Sequence, residues 1–171
     1  MTSNNETRVV VTGMGAITCL GNSVEEFWTG LKNGQSGIQQ ISLVSPDGFP
    51  CKVSGEIRDF NANDYMDRKE ARRMARFSQF AVAAAHQAVK DAGLDFENED
   101  LDRIGVLVGS GSGGLPETDQ QAEIRVKRGV SRMSPYYIPM MLVNMASANI
   151  SHTFNLTGYT NTCVTACAAG T

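Results

Sequence analysis

Hydrophobic and polar positions along the chain follow two periods, which predict strands and helices in turn. Short β-branched runs at residues 9–12 and 103–109 are typical of buried strands that end in glycine. Apolar positions at steps of three and four predict a helix over residues 68–92, with Gly93 as its C-terminal cap. The alternation indicates an α/β protein with a mostly parallel sheet, covered on both faces.

Capping residues and turns predict further elements. Ser23 and Glu26 have capping-box spacing, so a helix should extend to about residues 32–34. The other elements expected are a strand within residues 51–57, a polar helix over 116–127, an apolar helix over 140–154 and a last strand over 161–165. No linker divides the chain, so we expect a single unit over residues 1–171.

Composition narrows the class of protein. The chain has 171 residues, 42% of them hydrophobic, which is enough for a globular core. A net charge of -3 gives no general case for nucleic-acid binding, and no apolar run approaches the roughly 18 residues of a membrane span. The polar N-terminus has no basic and apolar leader, so we expect a cytoplasmic protein.

Cys167 is the clearest candidate for chemistry. Residues 161–171 predict a strand that runs into a tight turn of small residues with the thiol at the turn. A helix starting there would favour the thiolate through its free N–H groups and its dipole. A packed, inert thiol remains the alternative. A zinc pair with Cys163 is disfavoured, since His86 and His152 stand at no ligand spacing and are expected to be structural.

A glycine-rich stretch, GSGSGG at residues 109–114, follows a predicted strand and precedes a helix. Its spacing matches a dinucleotide-binding loop, but it does not lie in the first βα unit, and no acidic strand end follows about 20 residues later. We therefore expect no nucleotide and no other cofactor. The glycines are better explained by a backbone that passes close to an active-site pocket.

Basic residues are concentrated on one predicted helix face. Lys69, Arg72, Arg73 and Arg76 fall at steps of three and four, with Arg68 beside them. Their charge predicts either a solvated surface or a docking patch for an acidic partner.

Several strings together carry a family resemblance. The chain resembles the N-terminal portion of the elongating β-ketoacyl-acyl-carrier-protein synthases, the synthase II class of condensing enzymes. The matching strings are VVVTGMGAIT from residue 9, EEFW from 25, SGI from 36, DRKE from 67, RMARF from 73, GSGSGGL from 109, SPYYIP from 134, VNM from 143 and VTACA from 164.

The resemblance implies a thiolase-like α/β fold. That fold has two similar halves, each with a five-stranded mixed sheet, layered α-β-α-β-α in a homodimer. The implied reaction is a decarboxylative Claisen condensation without a cofactor, in which Cys167 accepts the acyl group and its own N–H helps to bind the oxyanion. The implied partner is acyl carrier protein in its acyl and malonyl forms.

The resemblance also assigns binding residues. Gly111, Ser112 and Tyr137 are expected to line the acyl pocket, and Ser112 replaces a bulkier aliphatic residue, which implies a roomier or more polar pocket bottom. The expected carrier-docking residues are Arg68, Lys69, Arg72 and Arg132.

Members of this family are considerably longer than 171 residues. Their two catalytic histidines, a lysine and a Gly-Phe gating loop lie in the later half. We therefore expect these residues to be the N-terminal half of such a fold, neither stable nor active alone. A polyketide-type ketosynthase remains an alternative, as does a non-enzymatic partner subunit resembling a chain-length factor, although Cys167 argues against the latter.

Overall fold

The computed structural model describes residues 7–170, so most of the polar N-terminus and Thr171 lie outside it. The helices within the described residues are α1 (Val24–Lys32), α2 (Arg68–Ala71), α3 (Arg76–Ala92), α4 (Leu115–Arg128), α5 (Tyr137–Met141) and α6 (Met145–Thr153). The strands are β1 (Gln39–Gln40), β2 (Val53–Ser54), β3 (Val106–Gly109) and β4 (Thr160–Cys163). Short 3-10 segments lie at Ala62–Asp64, Phe96–Asn98, Leu101–Arg103, Val130–Arg132 and Ala166–Gly170.

Two predicted helix ends are confirmed with their caps. At the start of α1, Ser23 Oγ accepts the N–H of Glu26 at 3.2 Å, and Glu26 Oε2 accepts the N–H of Asn22 at 2.7 Å. At the end of α3, Gly93 has a φ of 61°, the left-handed conformation that glycine adopts without a Cβ clash. Both boundaries are therefore set locally, by side-chain caps at the start of α1 and by the missing Cβ of Gly93 at the end of α3.

Strands β3 and β4 form the parallel pair that the sequence predicts. Their register joins Val106 to Thr160 at one end and Gly109 to Cys163 at the other. Helix α6 covers one face, where the Oγ of buried Ser147 lies 2.7 Å from Thr162 Oγ1. Leu107 is 68% exposed, so the prediction of a sheet covered on both faces is wrong for residues 7–170, which place no layer over that side chain.

The other sheet is also small. Strands β1 and β2 pair antiparallel over two residues each, so the strand expected within residues 51–57 shrinks to Val53–Ser54. The five-stranded mixed sheets implied by the resemblance are not formed among the described residues, where each sheet has two strands.

The core forms around α3. Val82 is fully buried and clusters with Met66 and Ala71, while Ile150 of α6 packs against this cluster. Burial of such apolar side chains stabilises the fold by about 25 cal/mol per Å² removed from water. Helix α3 therefore joins the segment around α2 to the layer that supports β3 and β4.

The alanine-rich face of α3 lies against the segment around Gly13 and Gly15. A Cβ on Gly15 would overlap the carbonyl oxygen of Ala84, so the backbone approaches closer than any side chain would allow. Gln87 fixes this approach, since its Oε1 accepts the N–H of Ala16 at 3.0 Å and its Nε2 donates to the Asn22 carbonyl at 2.6 Å. The close neighbour of the small alanine side chains is thus residues 13–16.

The strand predicted over residues 9–12 is not formed. Val9 is 91% exposed, and Val10 and Val11 are also exposed. A β-branched run favours a strand only where a neighbouring backbone accepts and donates its hydrogen bonds, and β3 pairs with β4 alone in the described chain.

Two predicted helices are each broken in two. Residues 68–92 form α2 and α3, separated by residues 72–75, and Ala75, the last of these, is extended and 1% exposed. Residues 140–154 fall into α5 and α6, separated by a turn that starts at extended Leu142. The apolar spacing continues across the first break because Ala71, Ala75 and Ser78, at steps of four and three, are all buried.

The described residues include no helix with the length and apolar character needed to cross a bilayer.

His86 should make stability depend on pH. Its ring centroid lies 4.7 Å from that of Phe154, its Nε2 has no hydrogen-bond partner among the described residues, and burial lowers its pKa below the ordinary value of 6.5. The unfolded chain binds this proton below about pH 6.5, while the folded chain resists it. The free energy of unfolding should therefore fall as the pH drops below that value.

Urea denaturation of the full-length protein and of its His86→Leu variant at about pH 7.5 and 5.5 would measure this effect. The variant should lose part of the decrease in stability, whereas His152→Leu, at an exposed position, should retain it. An identical pH dependence in all three proteins would contradict the assignment to His86.

Candidate functional site

Cys167 lies on a turn directly after β4. The turn is the 3-10 segment Ala166–Gly170, in which the Ala168 N–H donates to the Thr165 carbonyl at 3.2 Å. Ala166 has a φ of 51°, a left-handed conformation that costs a non-glycine residue roughly 1 kcal/mol or more. The exposed thiol therefore follows a strained residue, on a tight turn of the kind that the sequence predicts.

The segment after Cys167 is short among the described residues, which end at Gly170. The residues described after Cys167 are 3-10 rather than α-helical, so within residues 7–170 no α-helix begins at this cysteine. A helix that starts at Cys167 and favours the thiolate through its dipole therefore stays a prediction.

The glycine loop, residues 109–114, packs directly against the Cys167 turn. The Ser110 N–H donates to the Cys163 carbonyl at 3.0 Å, which continues the β3 and β4 pairing into the two loops. A Cβ on Gly109 would overlap the Ala169 carbonyl oxygen, so only glycine allows this contact. The close backbone approach expected from the glycines is present, and its neighbour is the turn that carries the thiol.

The other end of the loop rests on α5. The Gly114 N–H donates to the Met141 carbonyl at 3.2 Å, and a Cβ on Gly113 would lie 2.6 Å from the same oxygen. Tyr137 is the first residue of α5 and is half-buried. The loop thus lies between the Cys167 turn and α5.

Gly111 and Ser112 occupy the exposed middle of the glycine loop. A Cβ on Gly111 would meet open space, unlike one on Gly109. Gly111 and Ser112 thus lie on the loop whose first residue meets the Cys167 turn, and Tyr137 lies on the helix at the other end of the loop. Their contact with an acyl chain stays a prediction.

Neither histidine is placed to serve Cys167. His86 packs with Phe154 as described above, and its ring centroid lies 6.5 Å from that of Tyr65. His152 is exposed in the last turn of α6. Both positions agree with the structural role expected from the sequence.

The basic residues do not share one helix face. Arg68 and Lys69 are exposed on α2, where Asp67 Oδ1 caps the helix by accepting the Lys69 N–H at 2.6 Å, and Arg72 and Arg73 are exposed just beyond it. We refer to residues 68–73 as the basic segment.

Arg76 is not part of this exposed surface. Its guanidinium lies 4.9 Å from the Phe80 ring centroid and donates to the Ile57 carbonyl. The prediction that Arg76 shares an exposed face with Lys69, Arg72 and Arg73 is therefore wrong. The helix is interrupted before Ala75, and the Arg76 side chain lies over the rings of Phe60 and Phe80.

A second basic cluster was missed in the sequence. Arg125, Lys127 and Arg128 are exposed in the last turn of α4, close in sequence to exposed Arg132. Lys127 also pairs with Glu123 one turn earlier. The signal was visible as three basic residues within four positions, but cations at a helix C-terminus also have a purely structural explanation in the helix dipole.

Comparison with known proteins identifies the family. A profile described as "Beta-ketoacyl synthase, N-terminal domain" matches residues 6–171. The chain belongs to the β-ketoacyl synthase family. It shares 46% identity over 170 residues with the protein named 3-oxoacyl-[acyl-carrier-protein] synthase 2 of Synechocystis sp. (strain ATCC 27184 / PCC 6803 / Kazusa), covering 99% of this chain and 41% of that protein.

Two further similarities support the β-ketoacyl synthase assignment. The protein of the same name from Staphylococcus aureus (strain N315) is 42% identical over 164 residues, covering 96% of this chain and 40% of the relative. The solved structure described as the ishigamide ketosynthase/chain length factor matches with a TM-score of 0.84 and 28% identity, over 91% of this chain and 39% of that one. The thiolase-like fold class implied by the resemblance is confirmed, and the chain spans about two fifths of these relatives.

Replacing Gly109 with alanine should disturb the candidate site. The added Cβ must displace either the glycine loop or the Cys167 turn, since it would overlap the Ala169 carbonyl, and overpacking of this kind typically costs about 1–3 kcal/mol of stability. We expect a lower melting temperature and a changed rate of Cys167 alkylation by iodoacetamide, read by mass spectrometry.

Gly111→Ala is the matched control, because its Cβ enters open space and its φ is not left-handed. This variant should be neutral or slightly stabilising. Equal effects of the two substitutions would show that the close approach at Gly109 has no role.

Proposed function

We propose that this chain belongs to an elongating β-ketoacyl-acyl-carrier-protein synthase of fatty-acid synthesis. The observation that carries the proposal is the exposed thiol of Cys167 on a strained turn packed against the glycine loop. The identity to relatives named 3-oxoacyl-[acyl-carrier-protein] synthase 2, over 99% and 96% of this chain, supports the same reaction.

The reaction would proceed in two transfers at Cys167. The thiolate first attacks the carbonyl of an acyl thioester, and the carrier thiol leaves with a proton. Malonyl carrier then loses carbon dioxide, and the resulting carbanion attacks the acyl-cysteine thioester, which releases the β-ketoacyl carrier and restores the thiolate. The Cys167 N–H would bind the developing oxyanion.

We infer that residues 1–171 are the N-terminal half of the enzyme. The chain spans 41% of the Synechocystis relative and 40% of the Staphylococcus one. The catalytic histidines, the lysine and the gating loop that the resemblance implies would then lie in the later half, and activity would need the full-length protein. A homodimer in the cytoplasm belongs to the same proposal.

The basic segment is the surface we propose for carrier docking. Arg68, Lys69 and Arg72 are exposed and grouped on and just after α2, and Arg132 would extend the contact. Clustered charges of one sign raise the encounter rate of an acidic partner and orient it. Gly111, Ser112 and Tyr137 would receive the acyl chain beside Cys167.

A polyketide-type ketosynthase is the second candidate function. The ishigamide ketosynthase/chain length factor supports it through a TM-score of 0.84, although its 28% identity is below the 46% and 42% of the synthase 2 relatives. A partner subunit without a nucleophile is disfavoured by Cys167. Product analysis of the full-length enzyme would separate the two enzymatic activities, since one elongation round distinguishes fatty-acid elongation from repeated polyketide extension.

Cys167→Ser should abolish acyl transfer in the full-length protein. Serine lacks the acidity and polarisability of the thiol, and removal of a covalent nucleophile typically costs several orders of magnitude in rate. Mass spectrometry after incubation with an acyl thioester should find one acyl group on Cys167 in the parent protein and none in the variant. Cys51→Ser, which removes an exposed thiol in the loop before β2, should still be acylated on Cys167, and acylation of Cys167→Ser would refute the proposal.

Charge reversal at Lys69 should weaken carrier docking selectively. Lys69→Glu places a carboxylate in the basic segment, so the KM for acyl carrier should rise about tenfold while the KM for a small acyl thioester stays unchanged. Lys90→Glu reverses a charge that is also exposed, near the far end of α3, and should have little effect. Equal changes for both substrates would rule out a docking role.

A further inference from the structure

The carboxylate of Glu117 lies at the start of two helices. Glu117 is the third residue of α4 and is half-buried. Its Oε1 accepts the N–H of Arg76, the first residue of α3, at 3.0 Å. The N-cap residue of α3 is Ala75, which offers no side-chain hydrogen bond, so the cap of this 17-residue helix comes from a side chain 41 positions later.

The same carboxylate also faces the beginning of its own helix. The N-cap of α4 is Gly114, which provides no side-chain cap. Glu117 Oε2 lies 3.1 Å from the position that a Cβ on Gly114 would occupy. A negative charge near a helix N-terminus is favourable, and here one carboxylate is near two of them.

The two helices start at two parts of the proposed mechanism. Helix α3 begins just after the basic segment, and α4 begins at Gly114, the last residue of the glycine loop. Gly109, at the other end of that loop, contacts the Cys167 turn through Ala169. Glu117 therefore connects the docking surface to the loop beside the thiol.

A second contact, between Arg73 and Tyr136, also links the basic segment to the glycine loop. The guanidinium of Arg73, in the basic segment, lies 4.8 Å from the ring centroid of Tyr136. Tyr136 immediately precedes α5, whose Met141 carbonyl accepts the Gly114 N–H. The contacts of Glu117 and of Arg73 thus each link the surroundings of the basic segment to Gly114, the last residue of the glycine loop.

We propose that Glu117 is a positioning residue that holds the glycine loop against the Cys167 turn. Its role in acyl transfer rests on the function proposed above, but its effect on the thiol does not. Loss of the carboxylate should let the loop shift. The acyl group would then be presented less well to Cys167, while the exposed side chains that would dock the carrier stay unchanged.

The test compares Glu117→Ala and Glu117→Gln in the full-length protein. Glu117→Ala should lower kcat roughly tenfold with acyl carrier and with a small acyl thioester alike, with the carrier KM within about twofold of the parent value. Glu117→Gln should recover most of this loss, because the amide oxygen can still accept the Arg76 N–H.

Glu123→Ala is the matched control. Glu123 lies on the same helix, but its carboxylate is exposed and pairs with Lys127 on the surface. This variant should keep the parent kcat and KM, since exposed ion pairs contribute little. Should Glu117→Ala not fold, Glu117→Asp takes its place, because a side chain one methylene shorter keeps the charge but reaches Arg76 less well.

Several outcomes would overturn the positioning role. It is wrong if Glu117→Ala lowers only the melting temperature, if the carrier KM alone rises, or if the glutamine variant is as slow as the alanine variant. The rate of Cys167 alkylation by iodoacetamide gives a readout independent of the enzymatic proposal. If Cys167 accepts no acyl group, the proposed function fails, while an alkylation rate changed at least threefold by Glu117→Ala supports positioning and an unchanged rate refutes it.

Discussion

The parallel pairing of β3 with β4 determines where the candidate functional residues meet. Parallel strands end at the same edge of a sheet, so the segments that follow them are neighbours. The register aligns Gly109 with Cys163, and the next hydrogen bond joins Ser110 to the Cys163 carbonyl. The glycine loop and the Cys167 turn are therefore brought together by backbone geometry, before any side chain contributes.

Close contact at that edge requires the absence of side chains. Gly109 fits against the Ala169 carbonyl, and Gly113 and Gly114 fit against the carbonyls of α5, because none carries a Cβ. Gly13 and Gly15 approach the backbone of α3 closely for the same reason, since neither carries a Cβ. These glycines could be singled out from the sequence, but their neighbours could not, since a missing Cβ says only that something approaches.

Features with a local cause could be predicted from the sequence. The capping box at Ser23, the left-handed cap at Gly93 and the turn at Cys167 depend on residues near one another in the chain. Features with a distant cause could not. The break at Ala75 places Arg76 over Phe80 and under a carboxylate of α4, and no periodicity within residues 68–92 contains that information. Val9 is exposed although its β-branched run predicts a buried strand, because a strand also needs a neighbouring strand that the local sequence does not specify.

The candidate site also combines features with a local cause and features with a distant cause. Cys167 and the glycine loop carry local signals, and the basic segment was visible as a cluster of charge. The connection between them depends on Glu117, whose bond to Arg76 spans 41 positions. A carboxylate in the first turn of a helix is already explained by the dipole of that helix. The sequence therefore gives no reason to expect that Glu117 also caps a second helix. The site's parts can thus be found residue by residue, while their coupling exists only in the folded chain.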